Sequence, residues 1–597
     1  MIYLGVNLSH NASACLMVNG KVTIVTQEER FTNKKNFEGY PKKAIDYIVK
    51  YLKKKKLKID LIAYSSAQNP PFTYMAPVNH FYTIKDFNNY YGDDFYAKKL
   101  KKGSTDQYVK KLLKDKRNNI DLYLDYSKYK NVTNLDRDNV KYLELYRQDQ
   151  IDFISNQTKT DKDKIIFVDH HECHAHYAYF AYVNKFVNCA VLTIDSEGDF
   201  LNQTTWITKN DKQVLHKIAE TSECDVARIY KMTTLLLSMR PMEHEYKVMG
   251  LAPYAKEKYA NEVYENVFKG ILKVQNCKIV RKNRPEDLYG HLKKKFESYR
   301  FDNIAGGVQI FVEKITAELF EQIHKKTKVK NFALSGGVSM NIKNNKLLSE
   351  LPFVDKLFVP PSGSDESLSI GACYYLEKFN SQTLNNIYLG YDINEDINEK
   401  SLYKKFKGPK FKIKKVNSKY VAGLLEKGKI IAVARGREEF GARALGNRSI
   451  IANPSKLNCI KEINEAIKNR DFWMPFALTI LSDKQNNVIY NKKNIKCDHM
   501  SIGFDTKNKA YEKIKAGTHP YDLTVRPQLL KKSSNEKYYS LINDFYKLTG
   551  IPAVLNTSLN LHGNPISSTL KDVINTFEKS GLKYLYLEDK YLIEKLK

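Results

Sequence analysis

Four histidines fall within the segment DHHECHAHYAYF, at positions 169–180. If this segment starts a helix, His170 and His174 lie four residues apart on one face, where two imidazoles can bind one metal ion. The other two histidines then point elsewhere. Carboxylates complete such a ligand set, and Asp195 and Asp365 each follow a short apolar run that predicts a strand. The pattern therefore predicts a metal site, and a structural or solvated histidine cluster is the alternative.

A second group of chemically active residues is a set of cations in the last third of the chain. Its members are Arg435, Arg437, Arg443, Arg448, Lys468, Arg470 and Arg526. Arginine binds phosphate oxygens bidentately, and few acidic residues are nearby in the sequence. The set predicts a pocket for a phosphorylated or carboxylated substrate. The alternative is a surface on which these arginines pair with Glu438, Glu439 and Asp471.

A Gly-Gly pair gives a third candidate site. Gly336 and Gly337 end the apolar run NFALS, and a helical pattern containing Val338 and Asn341 follows. Glycines at this place let backbone N–H groups approach a phosphate or an adenosine. A turn with no ligand is the alternative.

The elements that must position these residues are short strands that end in polar turns. A short apolar run that ends at a polar turn occurs at 189–199, 331–345 and 356–375. Open α/β sheets bind ligands at such strand ends. Residues 1–30 read as strand, turn, strand, Asn-Gly turn, strand, which is how a nucleotide-binding domain of the actin/hexokinase class begins. We expect an α/β fold.

The length of 597 residues predicts two to four domains. The polar stretch near 380 predicts a boundary between an N-terminal domain, 1–380, and a second α/β domain, 381–597. Residues near 75–160 are rich in Tyr, Lys, Asp and Asn and predict a mainly helical surface insertion in the first domain.

Composition indicates a globular protein of the cytoplasm. Hydrophobic residues make up 42% and charged residues 27% of the chain. The N-terminus lacks the pattern of a signal peptide, and no apolar run is long enough to span a membrane. Eight cysteines without a CxxC pair predict reduced thiols, no disulfide and no structural zinc.

The net charge of +30 raises the question of a nucleic-acid partner. Lysines are spread along the whole chain, on what look like solvated helix faces, instead of forming one stripe. A composition bias explains this spread better than a binding surface does, so we do not expect a nucleic-acid partner.

Eight segments together resemble the carbamoyltransferase family that includes NodU, the tobramycin enzyme TobZ and the cephem carbamoyltransferases. They occur in the family's order across almost the whole chain. The segments are EERFTNKK (28–35), DHHECHAH (169–176), EYKVMGLAPY (245–254), LSGGVSMN (334–341), the Ser-Asp of GSDESLSIGA (363–372), REEFGARALGNRSI (437–450), RPQ (526–528) and NTSLNLHGNPI (556–566).

The resemblance implies a fold and a reaction. The N-terminal domain would be similar to the tRNA threonylcarbamoyladenosine ligase, with an actin/hexokinase-like (ASKHA) core, and the C-terminal domain would be YrdC-like. The C-terminal pocket would make carbamoyl-adenylate from carbamoyl phosphate and ATP, with Mg²⁺ accompanying ATP. The N-terminal domain would use a divalent metal, usually iron, to transfer the carbamoyl group to a hydroxyl of a small molecule or sugar.

The resemblance also implies site residues. Catalytic candidates are His10, Asn11 and Lys35, and the adenylate would be cradled by Gly336, Gly337 and their neighbours. The carbamoyl phosphate and ATP site would contain Arg437, Arg443, Arg448, Lys468, Arg470, Arg526 and Asn556.

Two residues depart from the family pattern. Relatives usually have Asp where this chain has Asn11, and an amide cannot serve as a carboxylate base. Ser196 stands where Gly is common, which changes the turn after Asp195.

Three other functions are alternatives. A tRNA-modifying, nucleic-acid-binding protein would not need the C-terminal arginine set. A hydrogenase-maturation enzyme like HypF would need an acylphosphatase domain and CxxC repeats, which the sequence lacks. A non-catalytic binding protein is compatible with Asn11. The acceptor is not identified, no membrane partner is expected, and homodimerisation is left open.

Overall fold

A computed structural model describes residues 1–67, 82–94, 140–181, 188–209 and 214–596. The protein has a mixed α/β fold that divides into two compact units. Unit 1 contains Met1–Glu29, Lys34–Phe358 and Gly363–Thr383, and unit 2 contains Arg30–Asn33, Val359–Ser362 and Leu384–Lys597. The main division falls between Thr383 and Leu384, close to the boundary that the sequence predicts at 380. The two short segments assigned to unit 2 were not predicted.

The first sheet of unit 1 contains the N-terminal meander. Its strands in the described residues are β1 (Ile2–Asn7), β2 (Ser13–Val18), β3 (Lys21–Gln27), β4 (Leu61–Ser65) and β5 (Ile165–Val168), in the order β3-β2-β1-β4-β5. β1 pairs antiparallel with β2 and parallel with β4, and β4 is parallel to β5. The strand–turn–strand–turn–strand pattern predicted for residues 1–30 is confirmed.

The second sheet of unit 1 repeats this topology. Its strands are β6 (Cys189–Gly198), β7 (Leu201–Lys209), β8 (Val214–Thr221), β11 (Asn331–Ser335) and β12 (Lys356–Phe358), and β9 (Leu272–Gln275) and β10 (Lys278–Arg281) form a separate hairpin. The order across the described strands of the sheet is β12-β11-β6-β7-β8. As in the first sheet, an antiparallel meander is followed by two strands parallel to its first strand.

Helices of unit 1 connect these strands and cover the sheets. Most of α1 (Glu29–Thr32) belongs to unit 2. In the described part of this unit, the other helices are α2 (Lys42–Lys55), α3 (Ile84–Asn89), α4 (Val140–Thr158), α5 (His170–Phe180), α6 (Val226–Leu236), α7 (Glu245–Leu251), α8 (Glu257–Val263), α9 (Leu288–Phe296), α10 (Phe301–Thr327), α11 (Ile342–Glu350) and α12 (Leu368–Glu377).

The predicted helical insertion at 75–160 falls largely outside the described residues. The described parts of it are helical: α3 continues into a π-turn over Tyr90–Asp94, and α4 runs from Val140 to Thr158. Residues 68–81 and 95–139 lie outside the described part of the chain.

Unit 2 is built on one long mixed sheet. Its strands are β13 (Phe411–Lys415), β14 (Ile431–Ala434), β15 (Arg448–Ala452), β16 (Ala477–Leu481), β19 (Pro527–Leu530), β20 (Ala553–Ser558), β21 (Tyr584–Leu587) and β22 (Tyr591–Lys595), and β17 (Phe504–Asp505) pairs separately with β18 (Thr524–Val525). Among the described strands the order is β13-β22-β21-β14-β15-β20-β16-β19.

The helices of unit 2 pack against this sheet. They are α13 (Glu399–Phe406), α14 (Ser418–Glu426), α15 (Asn458–Ile463), α16 (Tyr511–Ile514), α17 (Glu536–Thr549) and α18 (Leu570–Lys579). A continuous apolar core joins Phe406, Ile450, Leu555, Phe577 and Leu585 from several of these elements. The strands predicted on either side of the arginine-rich turn, and the strand leading into NTSLN, are confirmed.

All eight cysteines are buried free thiols. Within the described ranges, every helix is too short or too polar to traverse a lipid bilayer.

Candidate metal centre and cation-lined site

The candidate metal centre starts at the first turn of α5. Asp169 ends the loop after β5 and caps the helix, because its Oδ1 accepts a hydrogen bond from the Glu172 amide at 2.9 Å. The helix begins at His170, as the sequence predicts, so His170 and His174 lie on one face. The His170 amide donates to Asp199 Oδ2 at 2.8 Å, which ties this helix start to the loop after β6.

The structure brings the four predicted metal ligands together. One ligand atom from each of His170, His174, Asp195 and Asp365 lies within 4.8 Å of the others. His174 Nε2 is 3.5 Å from Asp195 Oδ2 and 3.7 Å from Asp365 Oδ1, and His170 Nε2 is 3.9 Å from Asp365 Oδ1. Three separate elements, α5, β6 and the turn before α12, supply these side chains.

The imidazoles are oriented with their Nε2 atoms towards this centre. His174 Nδ1 is 3.0 Å from Ser335 Oγ, at the end of β11. The Nε2 atoms of His170 and His174 are buried and have no hydrogen-bond partner among the described residues. Burying a ring nitrogen without a hydrogen-bond partner costs free energy unless a ligand binds that nitrogen. Two imidazoles and two carboxylates, oriented in this way, fit a divalent transition-metal ion.

Charge at the centre favours a cation. Burial opposes protonation of His174, but Asp195 and Asp365 outweigh burial and raise the pKa of His174 to about 9. Burial of Asp195 is likewise outweighed by His174, which holds the pKa of this carboxyl well below its usual range. A metal ligand must be deprotonated, so a bound cation would displace the His174 proton.

The other two histidines of the segment lie outside the ligand set. His171 Nδ1 is 2.7 Å from Thr193 Oγ1, and burial together with its histidine neighbours lowers the pKa of His171 to about 3. His176 Nδ1 is 2.8 Å from the Glu172 carbonyl. Burial lowers the pKa of His176 to about 4, so both rings are neutral.

The Gly-Gly turn contacts the candidate metal centre directly. The Gly337 amide, which we expected to face a nucleotide, donates to Asp195 Oδ2 at 2.8 Å. Gly336 has φ +89°, and a Cβ at this residue would overlap the backbone of Ile194. The turn therefore positions Asp195. Val338 lies in the following 3₁₀ turn, and Asn341 caps α11 through the Asn344 amide at 3.0 Å.

The turn between β1 and β2 lies against the other carboxylate ligand. Ser9 Oγ donates to Asp365 Oδ2 at 3.0 Å, and Asn7 Nδ2 donates to the Asp365 carbonyl at 2.8 Å. His10, in the same turn, has a buried Nδ1 with no hydrogen-bond partner in the described ranges. The contacts of Asn7 and Ser9 therefore hold the Asp365 turn against the end of β1.

Asn11 occupies a conformation and a contact that suit an amide. Its φ is +58°, a left-handed conformation that Asn adopts more readily than most residues. Its Nδ2 donates to Glu366 Oε2 at 3.2 Å. An Asp at this position would put two carboxylates next to each other, so the amide removes a repulsion.

Lys35 is held in an ion pair. Its Nζ lies 2.9 Å from Glu243 Oε1, and Arg240 Nη1 lies 3.4 Å from Glu243 Oε2. Burial lowers the pKa of Lys35, but the Glu243 carboxylate outweighs burial and raises it. Lys35 is therefore a cation and not a base.

Unit 2 contains the cation-lined site. Lys468 is buried, and its Nζ donates to Asn560 Oδ1 at 2.6 Å and to Ser558 Oγ at 3.1 Å. Arg470 Nη2 donates to Thr557 Oγ1 at 2.8 Å. Both cations thus converge on the end of β20 and the polar turn that follows it.

Asn556 begins the polar end of β20. Its Nδ2 donates to the Ala444 carbonyl at 3.1 Å, and its Oδ1 is buried without a hydrogen-bond partner among the described residues. Arg443 precedes Ala444 and is partly exposed, and Arg526 precedes β19 and is also partly exposed. An acceptor oxygen and several cations therefore occupy one region of the unit.

Arg448 has a different role from the one predicted. Its guanidinium is fully buried and donates to the carbonyls of Ser568, Arg435, Asn447, Tyr391 and Gly436 at 2.7–3.3 Å. Five carbonyls occupy its donors. We therefore assign Arg448 to holding the loop between β14 and β15 instead of binding phosphate directly. Arg437 donates to the carbonyls of Leu389 and Gly390. Glu439 binds the loop as well, through the Leu445 amide at 2.5 Å.

The structure also identifies supporting residues that the sequence analysis missed. They are Asn7, Ser9, Ser335 and Asp199 around the metal ligands, and Thr557, Ser558, Asn560 and His562 around Lys468. Several of them lie inside the motifs LSGGVSMN and NTSLNLHGNPI, so their polar character was visible. The residues that they contact could not be predicted from the sequence.

Two family models match the chain. The model described as "Carbamoyltransferase N-terminus" matches residues 3–374, and the model described as "Carbamoyltransferase C-terminus" matches residues 422–595. The first match contains all four candidate metal ligands, and the second contains Lys468 and Arg470.

Individual relatives are similar over much of the chain. An uncharacterized protein of Methanocaldococcus jannaschii is 32% identical over 609 residues, with 100% of both chains covered. The nodulation protein NolNO of Sinorhizobium fredii is 28% identical over 462 residues, covering 73% of this chain and 65% of its own. Among solved structures, full-length HypF in a phosphate- and nucleotide-bound form has a TM-score of 0.34 and 11% identity, covering 64% of this chain and 47% of that chain.

Proposed function

The chain belongs to the carbamoyltransferase family and is a carbamoyltransferase, and from this premise we propose that it is an ATP-dependent O-carbamoyltransferase. The convergence of His170, His174, Asp195 and Asp365 on one point carries the proposal for unit 1. Nodulation proteins named NolNO, NolO and U are among its relatives, and they favour a hydroxyl as the acceptor.

The proposed fold assignment is ASKHA-like for unit 1 and YrdC-like for unit 2. Support for the first comes from topology, because the orders β3-β2-β1-β4-β5 and β8-β7-β6-β11-β12 are the same arrangement used twice. The turn after the first strand of the first meander contacts Asp365 through Ser9, and the first strand of the second meander, β6, supplies Asp195.

The first proposed half-reaction takes place in unit 2 and forms carbamoyl-adenylate. Carbamoyl phosphate reacts with water to give carbamate and inorganic phosphate. A carbamate oxygen then attacks the α-phosphorus of ATP, and pyrophosphate leaves. Lys468 and Arg470 would bind phosphate oxygens, and Mg²⁺ would accompany ATP. Asn556 Oδ1 would accept a hydrogen bond from the NH₂ group of the carbamoyl moiety.

The second proposed half-reaction takes place at the metal centre of unit 1. The acceptor hydroxyl attacks the carbamoyl carbon, AMP leaves, and the hydroxyl proton moves to a base. His10 Nδ1 is our candidate for this base, because it is buried without a hydrogen-bond partner among the described residues and His10 directly follows Ser9, which contacts Asp365. Asn11 would orient Glu366 instead of taking the proton.

A bound divalent ion, which we propose to be iron, would polarise the carbamoyl carbonyl or bind the phosphate of the adenylate. We place the reaction in the cytoplasm, because it consumes ATP and the cysteines are free thiols.

Pyrophosphate release tests the first half-reaction. Purified protein loaded with metal is incubated with ATP, Mg²⁺ and carbamoyl phosphate in the absence of any acceptor. We expect pyrophosphate and carbamoyl-adenylate, and we expect Arg470→Gln to lower the rate by about tenfold or more because a charge-assisted contact to phosphate is lost. Arg300→Gln, which removes a 73% exposed arginine in unit 1, serves as the control. Folded, metal-loaded protein that releases no pyrophosphate would refute the proposal.

A further inference from the structure

Three neighbouring strands of unit 2 place polar side chains on one face of the sheet. Thr479 in β16 lies directly opposite Gln528 in β19. On the other side of β16, Thr479 pairs with Val554 in β20, and Asn556 is its diagonal neighbour on the same face. All three polar side chains are buried, so their hydrogen bonds determine how each one is oriented.

Backbone carbonyls fix the orientation of both side-chain amides. Asn556 Nδ2 donates to the Ala444 carbonyl at 3.1 Å, and Gln528 Nε2 donates to the Leu445 carbonyl at 3.1 Å. A carbonyl oxygen only accepts, so the nitrogen of each amide, and not its oxygen, must face the carbonyl. The oxygen of Gln528, Oε1, therefore faces Thr479.

The hydroxyl of Thr479 joins the two amides. It donates its hydrogen to Gln528 Oε1 at 2.9 Å and accepts a hydrogen bond from Asn556 Nδ2 at 3.0 Å. The Tyr538 hydroxyl also donates to Thr479 Oγ1, at 3.1 Å, and burial raises the pKa of Tyr538, so this phenol keeps its proton. A hydroxyl has one hydrogen and two lone pairs, so these three contacts use its whole capacity.

The oxygen of the Asn556 amide is the atom that this arrangement leaves open. Both hydrogens of Nδ2 are occupied, one by the Ala444 carbonyl and one by Thr479. Oδ1 is buried and has no hydrogen-bond partner among the described residues. Ser558 is the next residue on this face of β20, and it contacts Lys468 of the cation-lined site at 3.1 Å. A buried acceptor oxygen next to that site requires a hydrogen-bond donor from a ligand.

We infer that Thr479 and Gln528 are positioning residues that make the site select a carbamoyl group over an acyl group of similar shape. The inference rests on the proposed function and deepens it, because it gives the cause of substrate selection. The amino group of carbamate donates to Asn556 Oδ1, whereas the methyl group of acetate has a similar size and no polar hydrogen. Acetyl phosphate bound in the site would leave Oδ1 buried and unpaired, which should weaken binding about tenfold to a hundredfold.

Steady-state kinetics of carbamoyl-adenylate formation test the inference on the full-length protein, without any acceptor. In wild type with ATP and Mg²⁺, the inhibition constant of acetyl phosphate should exceed the KM for carbamoyl phosphate by about tenfold or more. Thr479→Val keeps the β-branched shape but removes the hydroxyl that orients Asn556. It should lower kcat/KM for carbamoyl phosphate by about tenfold, and leave the inhibition constant of acetyl phosphate and the KM for ATP within about twofold of wild type.

Further variants separate positioning from packing. Thr479→Ser restores a hydroxyl and should recover most of kcat/KM for carbamoyl phosphate. Thr576→Val removes another buried hydroxyl of unit 2, which contacts Ser567 Oγ at 2.8 Å, and should leave all three constants unchanged. Gln528→Met removes the acceptor of the Thr479 hydrogen at similar side-chain length. It should lower the same constant as Thr479→Val, and it provides the test if Thr479→Val does not fold.

Equal losses for carbamoyl phosphate and acetyl phosphate in the folded variants would mean that Thr479 and Gln528 only support the fold, and would overturn the inference. Variants that match wild type in all three constants, or wild type that binds acetyl phosphate as tightly as carbamoyl phosphate, would overturn it as well. In each of these cases wild type still forms carbamoyl-adenylate, so the proposed function stands. Absence of carbamoyl-adenylate in wild type would instead refute the proposed function and the inference with it.

Discussion

At the residue scale, His174 is the side chain that the candidate metal centre depends on most. It is fully buried, its Nδ1 contacts Ser335, and its Nε2 faces two carboxylates. Without a cation, Asp195 and Asp365 compete for the His174 proton, since that proton is what compensates their charge. A metal ion would replace the proton in this role.

We predict that His174→Ala loses bound metal and keeps the fold. The substitution removes one of four ligands, and a remaining set of three at this centre should bind a divalent ion at least tenfold more weakly. Metal content is measured by mass spectrometry after gel filtration, and folding by circular dichroism. His216→Ala, which removes an exposed histidine from β8, is the matched control and should retain the metal. Full retention in His174→Ala would reject the ligand assignment.

The four candidate ligands could be predicted from the sequence because each obeyed a local rule. His170 and His174 are one helical turn apart, and Asp195 and Asp365 lie at predicted strand ends. Arg448 could not be predicted in the same way. An arginine within a glycine-rich turn looks like a phosphate ligand, and only the three-dimensional structure shows that five carbonyls surround it.

At the scale of elements, β6 approaches α5 so closely that only glycine fits at the contact. A Cβ on Gly198 would overlap the imidazole ring of His170. The end of β6 also carries Asp195. This strand therefore supplies one metal ligand and limits the space around another, His170.

We predict that Gly198→Ala weakens metal binding by displacing His170. The expected loss of affinity is about tenfold or more, because ligand geometry is disturbed while all four ligands remain. Gly423→Ala in α14 is the control, since nothing lies within 4 Å of its added Cβ and alanine favours a helix. Metal titration measures the affinity of both variants and of wild type. Unchanged affinity in Gly198→Ala would contradict the packing argument.

The start of α2 depends on the buried carboxyl of Glu28, which directly follows β3. Pro41 precedes α2 and provides no side-chain cap, and Glu28 instead accepts hydrogen bonds from the Ala44 amide at 2.8 Å and the Lys43 amide at 3.2 Å. Burial raises the pKa of Glu28 from 4.5 to about 7, although these amides oppose the shift. The folded state therefore binds the Glu28 proton more tightly than the unfolded state does.

We predict that Glu28→Gln stabilises the protein at neutral pH but not in acid. With the pKa raised in the folded state, the contribution of Glu28 to stability is full below pH 4.5 and is lost as the pH rises through about 7. The free energy of unfolding of Glu28→Gln relative to wild type should therefore rise over this window, by at most about 3 kcal/mol. Urea unfolding at several pH values measures it. The exposed Glu286→Gln should show no such trend.

The elements themselves were predicted better than their arrangement. Apolar runs ending in polar residues indicated β1, β6, β11, β14 and β20. The repeat of one topology in the two sheets of unit 1 was not predicted, because it is a property of strand order and direction and leaves no repeated motif in the sequence.

At the scale of the whole molecule, unit 2 is assembled from three stretches of chain. Arg30–Asn33 belongs to it although the residues on either side belong to unit 1. Arg30 is buried, its Nη2 donates to the Gly441 carbonyl at 2.7 Å, and its Nη1 donates to the Ile566 carbonyl at 3.3 Å. The predicted boundary at 380 could not include this segment, because its partners lie more than 400 residues away in sequence.

We predict that Arg30→Ala destabilises unit 2. Two buried carbonyls would lose a charged donor, at a cost of about 3 kcal/mol. Hydrogen exchange should accelerate in the segments around Gly441 and Ile566, while β1 to β3 remain protected. Lys34→Ala, an exposed lysine four residues later, is the control. Equal acceleration in both units would show that Arg30 supports the molecule generally.

The three-piece make-up of unit 2 constrains how such a gene can be cut or recombined. A fragment that starts at Leu384 would lack the two short inserts at 30–33 and 359–362, and its complement would carry them without their neighbours. Gene fission at the apparent junction would therefore yield two incomplete products. A functional chimera between homologues would have to exchange all three stretches at once.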